Sequence, residues 1–150
     1  MDERRLVELM DPFLRENGFV HLGFSWHREH EDSILKIDVQ PAKYAPGPYV
    51  NLSVSYRRYG TTTELTDLKF QVTTRLVSLV PDPSYLLELT DLGNGFSDGE
   101  RQEALRYQIL TFALPWLDGL VKFENARAFL ARKTSEAVFI VPEACADLKQ

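Results

Sequence analysis

The sequence is poor in the residues that most often build reactive or metal-binding sites. It contains one cysteine, Cys145, and three histidines in 150 residues. A single cysteine cannot form a disulfide within the chain, so an oxidising compartment is not implied. No activating base is evident near Cys145, which we therefore interpret as an inert thiol. The sequence also contains no G-x-S-x-G nucleophile elbow and no G-x-x-x-x-G-K-[ST] phosphate loop.

Long apolar runs and clusters of basic residues are also missing. No run approaches the ~18 apolar residues that predict a membrane-spanning helix. The net charge is −5, and the only adjacent basic pairs are Arg4-Arg5, Arg57-Arg58 and Arg132-Lys133. Nucleic-acid binding depends on clustered lysine and arginine. The charged N-terminus begins an amphipathic pattern, unlike a signal peptide. We therefore expect a cytoplasmic protein with no nucleic-acid or membrane partner.

What is present is the composition of a soluble globular domain. The chain is 44% hydrophobic and 26% charged, values that are ordinary for such domains. A chain of this length buries roughly 68–70% of the surface that it exposes when unfolded. We find no repeat, low-complexity segment or linker that would divide it. The sequence thus predicts one domain over residues 1–150 and leaves disorder open for the tail, residues 142–150.

The spacing of apolar residues predicts an N-terminal helix followed by a sheet. A stripe with three- and four-residue spacing predicts a helix over about residues 3–17, which Pro12 would kink and Gly18 would end. The period then changes to two. Alternating apolar and polar residues predict strands at about 20–27, 35–40 and 50–57, joined as an antiparallel meander.

The second half of the chain contains weaker strand patterns and two helices. Residues 68–75 and 84–91 are compatible with either a strand or a helix. A capping box from Ser97 to Glu100 predicts a helix that should stop near Leu114, because Pro115 follows. A second helix is expected from Phe123 to about 133, and residues 137–141 form an edge strand or a docked segment. The expected fold class is α+β: an antiparallel meander of three to five strands, with the N-terminal and two C-terminal helices packed on one face.

The stretch FVHLGFSWHREH, residues 19–30, contains all three histidines and raises the question of a metal site. In one continuous strand, His21 and His27 share a face but lie about 20 Å apart. Zinc ligands must converge within ~2.0–2.1 Å of one ion. His30 would point to the opposite face from His27. We therefore predict no metal and interpret the stretch as an ordinary strand.

The register of the first hairpin follows from placing both apolar faces together. Trp26 is expected opposite Ile37, and Phe24 opposite Val39. Trp26 should then be buried. The other face should be polar and exposed to water, and it is either merely solvated or a surface for a partner. Its members are Ser25, His27, Asp38, Gln40, Asn51, Ser53 and Ser55.

Four tyrosines surround the proline-rich loop of residues 45–48, namely Tyr44, Tyr49, Tyr56 and Tyr59. They form either an aromatic anchor for a partner or a pin that holds the loop against the sheet edge. Gln40 and Asn51, on neighbouring strands, are the first candidates for a functional pair; the alternative is that they only hydrogen-bond each other and the sheet edge. We predict no catalytic residue, metal or cofactor. The full set of candidate binding residues is Gln40, Asn51, Asp38, His27, Tyr49 and Tyr44.

The order of several short motifs resembles the bacterial domain-of-unknown-function family 4304. The motifs are L-R-E-N-G-F at 14–19, W-H-R at 26–28, I-D-V-Q at 37–40, V-N-L-S-V at 50–54 and L-P-W-L at 114–117. The resemblance covers roughly residues 3–132. The family's usual lysine-rich stretch after Gly-Phe is replaced here by residues 20–22. The resemblance implies a compact α+β domain, but no activity, substrate or catalytic residue.

These features favour a non-catalytic domain that binds another protein. Small acidic bacterial proteins of this kind include immunity proteins, which block a toxin by complementary charge and shape; that comparison is by analogy. One alternative is a small enzyme with a pocket between the sheet face and the C-terminal helices. Another is a structural homodimer through the exposed edge of the sheet.

Overall fold

A computed structural model describes residues 2–60, 64–132 and 137–149. The strands form one antiparallel sheet in which each strand pairs with the next along the chain. The strands are β1 (Val20–Leu22), β2 (Ser25–Glu29), β3 (Ser33–Gln40), β4 (Tyr49–Tyr56), β5 (Val72–Arg75) and β6 (Val138–Ile140). The helices are α1 (Asp2–Glu16), α2 (Pro83–Thr90), α3 (Asp98–Gln108), α4 (Leu114–Gly119), α5 (Phe123–Ala131) and α6 (Pro142–Leu148).

The α+β meander is confirmed, but the sheet has six strands where three to five were predicted. Part of the difference is at the C-terminal end of the sheet. There the uncertain segment at 68–75 contributes β5, and residues 137–141 contribute β6. The remaining additional strand arises because the predicted strand at residues 20–27 is divided into β1 and β2.

One face of the sheet, the dry face, packs against the apolar side of α1 and against other helices. The helix runs through Pro12 and buries its predicted stripe. Trp26 is fully buried and lies opposite Ile37, as predicted. Its indole Nε1 donates a hydrogen bond of 2.9 Å to Asp11 of α1. The dry face and the helices share one core, which includes Leu6, Met10, Phe13, Trp26, Ile37, Leu52, Val54, Leu105 and Leu117.

The prediction of one continuous strand over residues 20–27 is wrong. The chain reverses after Leu22, and β1 pairs back onto β2 with Leu22 opposite Ser25. Gly23 has a φ of 62°, and a glycine at the first position of a two-residue loop is the pattern of a type II′ hairpin turn. Val20, Leu22 and Phe24 are therefore 67%, 42% and 52% exposed, whereas Trp26 alone is buried.

Residues 84–91, left open between a strand and a helix, lie almost entirely in helix α2. The Asp82 side chain accepts a hydrogen bond from the backbone N–H of Tyr85 and thereby caps the helix. Pro83 occupies the first turn, where its missing N–H costs nothing. The Asp-Pro pair is thus a helix start, although in the sequence it resembles a turn.

The helix opened by Ser97 also continues further than predicted. Its capping box is present, with Ser97 and Glu100 hydrogen-bonded to each other's backbone. Instead of stopping before Pro115, the chain passes through a π-helical turn at Ile109–Ala113 and continues as α4. In a π turn each residue is hydrogen-bonded to the residue five positions away instead of four. The α-helical hydrogen bond that Pro115 cannot donate is therefore not needed at this point.

The C-terminal part adds α5, the edge strand β6 and α6. Helix α5 begins at Phe123 as predicted, and the predicted end at residue 133 lies outside the described residues. The tail, for which disorder was left open, contains α6, and Ala144 and Leu148 of this helix are buried.

No described helix is both long enough and apolar enough to cross a membrane.

Candidate functional site

The second face of the sheet, the polar face, is only partly exposed to water. Strand register places Ser25, Lys36, Asp38, Asn51 and Thr73 on this side, together with the other predicted polar residues. The prediction that the whole face is wet is wrong for three of its members. His27, Ser53 and Ser55 are 4%, 4% and 5% exposed.

A covering segment, residues 64–70, accounts for part of this burial. The Ser55 hydroxyl donates to the backbone oxygen of Lys69 at 2.7 Å. The Lys36 ammonium lies 4.4 Å from the centre of the Phe70 ring, a distance at which a cation attracts an aromatic face. Ile34, which shares the polar face, is buried. The covering segment thus closes one part of the polar face and leaves another open.

His27 lies in the closed part of the face, opposite Lys36 of β3. Among the described residues its Nδ1 has no hydrogen-bond partner. Burial lowers the pKa of His27 below its ordinary value, and the Lys36 charge lowers it further against the opposing effects of Asp38 and Glu29. The position favours a neutral imidazole because a charged ring would lose its hydration.

The hairpin changes the arrangement of the histidines that the sequence predicted. The hairpin places His21 opposite Trp26, one strand away from His27, so the predicted 20 Å separation along a single strand is wrong. The pairing also places His21 on the dry side, where its ring centre lies 5.6 Å from that of Trp26. Within the described ranges, no group of three or more metal-ligating side chains is found.

The open part of the polar face contains the predicted pair, Gln40 and Asn51, together with Asp38. The Asn51 Nδ2 donates hydrogen bonds to Asp38 Oδ1 at 2.8 Å and to Gln40 Oε1 at 2.7 Å. Lys36 Nζ lies 3.1 Å from Asp38 Oδ2. Asn51 therefore holds two acceptors in fixed positions while Lys36 balances the carboxylate charge. We call these four side chains, Lys36, Asp38, Gln40 and Asn51, the amide row.

A shallow depression of about 340 Å³ lies over the amide row. Phe24 and Pro41 supply its apolar walls, and Asp38, Gln40 and Asn51 supply its polar floor. The walls therefore come from the tip of the β1–β2 hairpin and from the loop after β3. None of its lining residues belongs to a helix. Such a mixture of apolar walls and a few placed polar groups is typical of ligand-binding sites.

Of the predicted tyrosines, Tyr49 lies closest to this site and Tyr44 lies apart from it. Tyr49 pairs with Gln40 across β3 and β4. Tyr44 is 87% exposed on the loop and does not line the depression. Tyr56 is buried and donates a 2.7 Å hydrogen bond to the backbone oxygen of Leu120. The hydroxyl of Tyr59 hydrogen-bonds Asp147. Neither of the last two belongs to the loop cluster expected from the sequence.

The loop that supplies Pro41 packs closely against the end of α2 at Gly47. A Cβ atom at Gly47 would lie 2.1 Å from the backbone oxygen of Thr90, at the end of α2. Only a glycine permits such a close approach of two backbones. The end of α2 is itself held by Arg101, whose buried guanidinium donates to the carbonyl oxygens of Glu88, Leu89 and Asp91.

Arg101 is the buried charge that sequence reasoning missed. It is 1% exposed, and its guanidinium also donates to the side-chain oxygen of Asn94 at 2.7 Å and to the backbone oxygen of Phe96. The carbonyl oxygens at a helix C-terminus carry partial negative charge, which explains how the cation is accommodated with no carboxylate partner among the described residues. The turn-rich sequence of residues 91–97 hinted at a loop, but not at the arginine that organises it.

Phe24 and Pro41 are the site residues that sequence analysis did not identify. Phe24 was assigned to the dry face because its position alternates in phase with Trp26. The signal that could have corrected this was Gly23-Phe24, a two-residue hairpin loop beginning with glycine. Pro41 ends β3 and was interpreted only as the start of a loop. The chain matches no family model, no curated protein and no solved structure.

Proposed function

We propose that this chain is a non-catalytic domain that binds another protein through the open part of its polar face. The amide row is the observation on which the proposal depends. Its hydrogen-bonding groups hold one another in place. Little side-chain freedom is therefore lost on binding, which is the advantage of a preorganised recognition surface. Phe24, which is 52% exposed, adds apolar area beside it.

The form of the site favours binding over chemistry. Its depression is open to solvent, and a reaction site normally encloses its substrate to exclude water. Within the polar face, the imidazole whose pKa is lowered belongs to His27, which does not line the depression. Among the lining residues Asp38 is the carboxylic acid, and its two oxygens are engaged by Asn51 and Lys36, whereas general acid–base chemistry requires a group that exchanges its proton with the substrate.

The kind of partner that we propose is a bacterial toxin, with this chain as its immunity protein. The net charge of −5 supports an acidic protein that attracts a basic partner at long range. The resemblance to family 4304 remains a prediction and adds no partner of its own.

The experiment is a pull-down from native lysate with the unmodified chain and two matched variants. Asn51→Arg places a long cation in the depression, whereas Asn125→Arg places the same group on the exposed surface of α5. We expect a partner that Asn125→Arg retains and Asn51→Arg loses, with both variants keeping a cooperative thermal transition. A partner that Asn51→Arg retains would place the contact surface elsewhere.

A second candidate function, a structural homodimer, is favoured by the free edge of the sheet at β1. Val20 and Leu22 lie exposed on this three-residue strand, and β1 contains neither a charged residue nor a proline. Charged residues and prolines are what usually protect an edge strand from pairing with another chain. Light scattering at two concentrations, with Val20→Lys as the variant, separates a dimer from a monomer. A mass that equals one chain at both concentrations rejects the dimer.

A further inference from the structure

Arg75 extends the amide row onto the next strand. It lies opposite Asn51 in the pairing of β4 with β5. The centre of its guanidinium lies over the Tyr49 ring, 4.0 Å from the ring centre, a distance at which a cation attracts an aromatic face. In the part of the chain that the structure describes, no carboxylate lies within ion-pair distance of Arg75, whereas Lys36 on the same face is paired with Asp38.

The hydrogen-bonding groups of the amide row leave one donor and one acceptor for a ligand. Both N–H groups of the Asn51 amide are used, toward Asp38 and Gln40. The Asn51 Oδ1 and the Gln40 Nε2 have no partner among the described residues. An amide of a peptide backbone offers the complementary pair, an N–H donor and a C=O acceptor. The local charge is also balanced, because Lys36 neutralises Asp38. The floor therefore suits a neutral peptide group.

The positions of Phe24 and Arg75 determine how far apart the two side chains of a bound peptide that contact them must be. Phe24 lies in the hairpin turn directly before β2 and Arg75 lies on β5, so about three strand spacings separate them. Neighbouring strands lie about 4.8 Å apart, which makes about 14 Å in total. An extended peptide advances about 3.3 Å per residue, so this distance corresponds to about four residues. Residues i and i+4 of an extended chain point to the same side, and both can face the sheet.

We propose that the open part of the polar face binds an extended segment of a partner protein in which an apolar residue and a carboxylate stand four residues apart. The apolar side chain packs against Phe24 and Pro41, the intervening backbone pairs with Asn51 and Gln40, and the carboxylate binds Arg75. This inference rests on the proposed function and specifies the chemistry of the partner. The net negative charge acts at long range, whereas Arg75 acts at contact.

The direct test uses defined peptides and amide chemical shifts of the labelled full chain. The probe is the acetylated, amidated pentapeptide Leu-Ala-Ala-Ala-Glu, and its controls replace Glu by Gln or Leu by Ala. We expect the probe to shift the signals of Phe24, Gln40 and Asn51. The Gln control should bind about two- to fivefold more weakly, as for one exposed ion pair, and the Ala control should also bind more weakly because it loses apolar contact area. Shifts elsewhere, or no shift at millimolar peptide, overturn the proposal.

A charge exchange makes the test specific for Arg75. Arg75→Glu should lose the Glu peptide and prefer a peptide with Lys in the same place. The matched control is Arg58→Glu, because Arg58 also lies on an aromatic ring, 4.1 Å from the centre of Phe123, but in a different depression. Equal binding of both peptides by Arg75→Glu contradicts the inference, provided that the spectrum of the variant stays dispersed.

The two proposals fail in different ways. A lysate partner that is lost with Asn51→Arg but kept with Arg75→Glu overturns this inference and leaves the proposed function standing. A partner that is kept with both variants overturns the proposed function.

Discussion

In the sequence, alternating residues give the sheet one apolar face and one polar face. In the structure, the two faces are covered in different ways. The dry face is buried by helices, above all α1, and its side chains form one continuous core. The polar face is covered by a short segment, whose Phe70 and Lys69 contact Lys36 and Ser55. Alternation therefore identifies two faces but does not determine which of them remains in water.

The burial on the two faces also differs in its energetics. On the dry face, transfer of apolar area from water supplies the stability. On the polar face, short hydroxyls are buried only where each finds an acceptor or donor, as Ser55 does with the Lys69 carbonyl and Ser53 with the Thr73 hydroxyl. Buried polar groups with partners contribute little net stability, whereas a lost partner is costly. Substitutions on the two faces should therefore differ in size.

The largest expected effect is that of Trp26→Ala on the dry face. Removing a fully buried aromatic side chain typically costs ~3–5 kcal/mol of unfolding free energy, and here the hydrogen bond to Asp11 is lost as well. Denaturant melts measure the loss. Phe24→Ala is the matched control, two residues earlier, and should change stability by no more than about 0.5 kcal/mol because its ring is at the surface. Equal losses for the two would contradict the hairpin at Gly23.

The elements that the sequence predicted well are those with a long, single-period pattern. The stripe of α1 and the alternation in β3 and β4 extend over many residues, and the register of Trp26 with Ile37 follows from them. The errors lie where local backbone chemistry outweighed the period. Gly23 reversed a run that alternates without interruption, Asp82 and Pro83 opened a helix in a turn-rich stretch, and a π turn allowed the chain to continue through Pro115.

The polar floor of the candidate site could be predicted from the sequence, whereas its apolar walls could not. Asp38, Gln40 and Asn51 share one face of adjacent strands, so their contact follows from the register alone. The covering segment brings Phe70 onto that face from outside the paired strands, and no local pattern announces such a contact. His27 was likewise expected in water, because alternation does not predict which positions of a face are covered. The walls at Phe24 and Pro41 depend on the hairpin turn, which was missed.

A smaller effect is expected for Phe70→Ala, which removes the aromatic cover of the polar face. The cation–aromatic contact with Lys36 and the partial burial of the ring together suggest a loss of about 1–2 kcal/mol. Denaturant melts again provide the measurement. Phe139→Ala serves as the control, since Phe139 lies on the edge strand β6 and is 62% exposed. A Phe70 variant as stable as the Phe139 variant would show that the covering segment contributes no stability.

The smallest effect should be the dependence of stability on pH that His27 introduces. Its folded-state pKa is lowered, chiefly by burial and then by the Lys36 charge, from an ordinary value near 6.5. Above that value the imidazole is neutral in both states and has no effect on the difference between them. As the pH falls below about 6.5, the unfolded chain takes up a proton that the folded chain resists. Stability therefore decreases between that pH and the lowered pKa of the folded state.

Urea melts at pH 7.5 and pH 5.5 would measure this decrease. His27→Gln removes the titrating group while keeping a polar side chain, and we expect a smaller difference between the two pH values than in the unmodified chain. His30 contributes in the same direction, because burial and the charge of Arg28 lower its pKa against the opposing charge of Asp118. His30→Gln is therefore the second variant, and the double variant should be the least sensitive. If His27→Gln left the pH dependence unchanged, the imidazole would be hydrated in the folded protein, and the closed part of the polar face would be open.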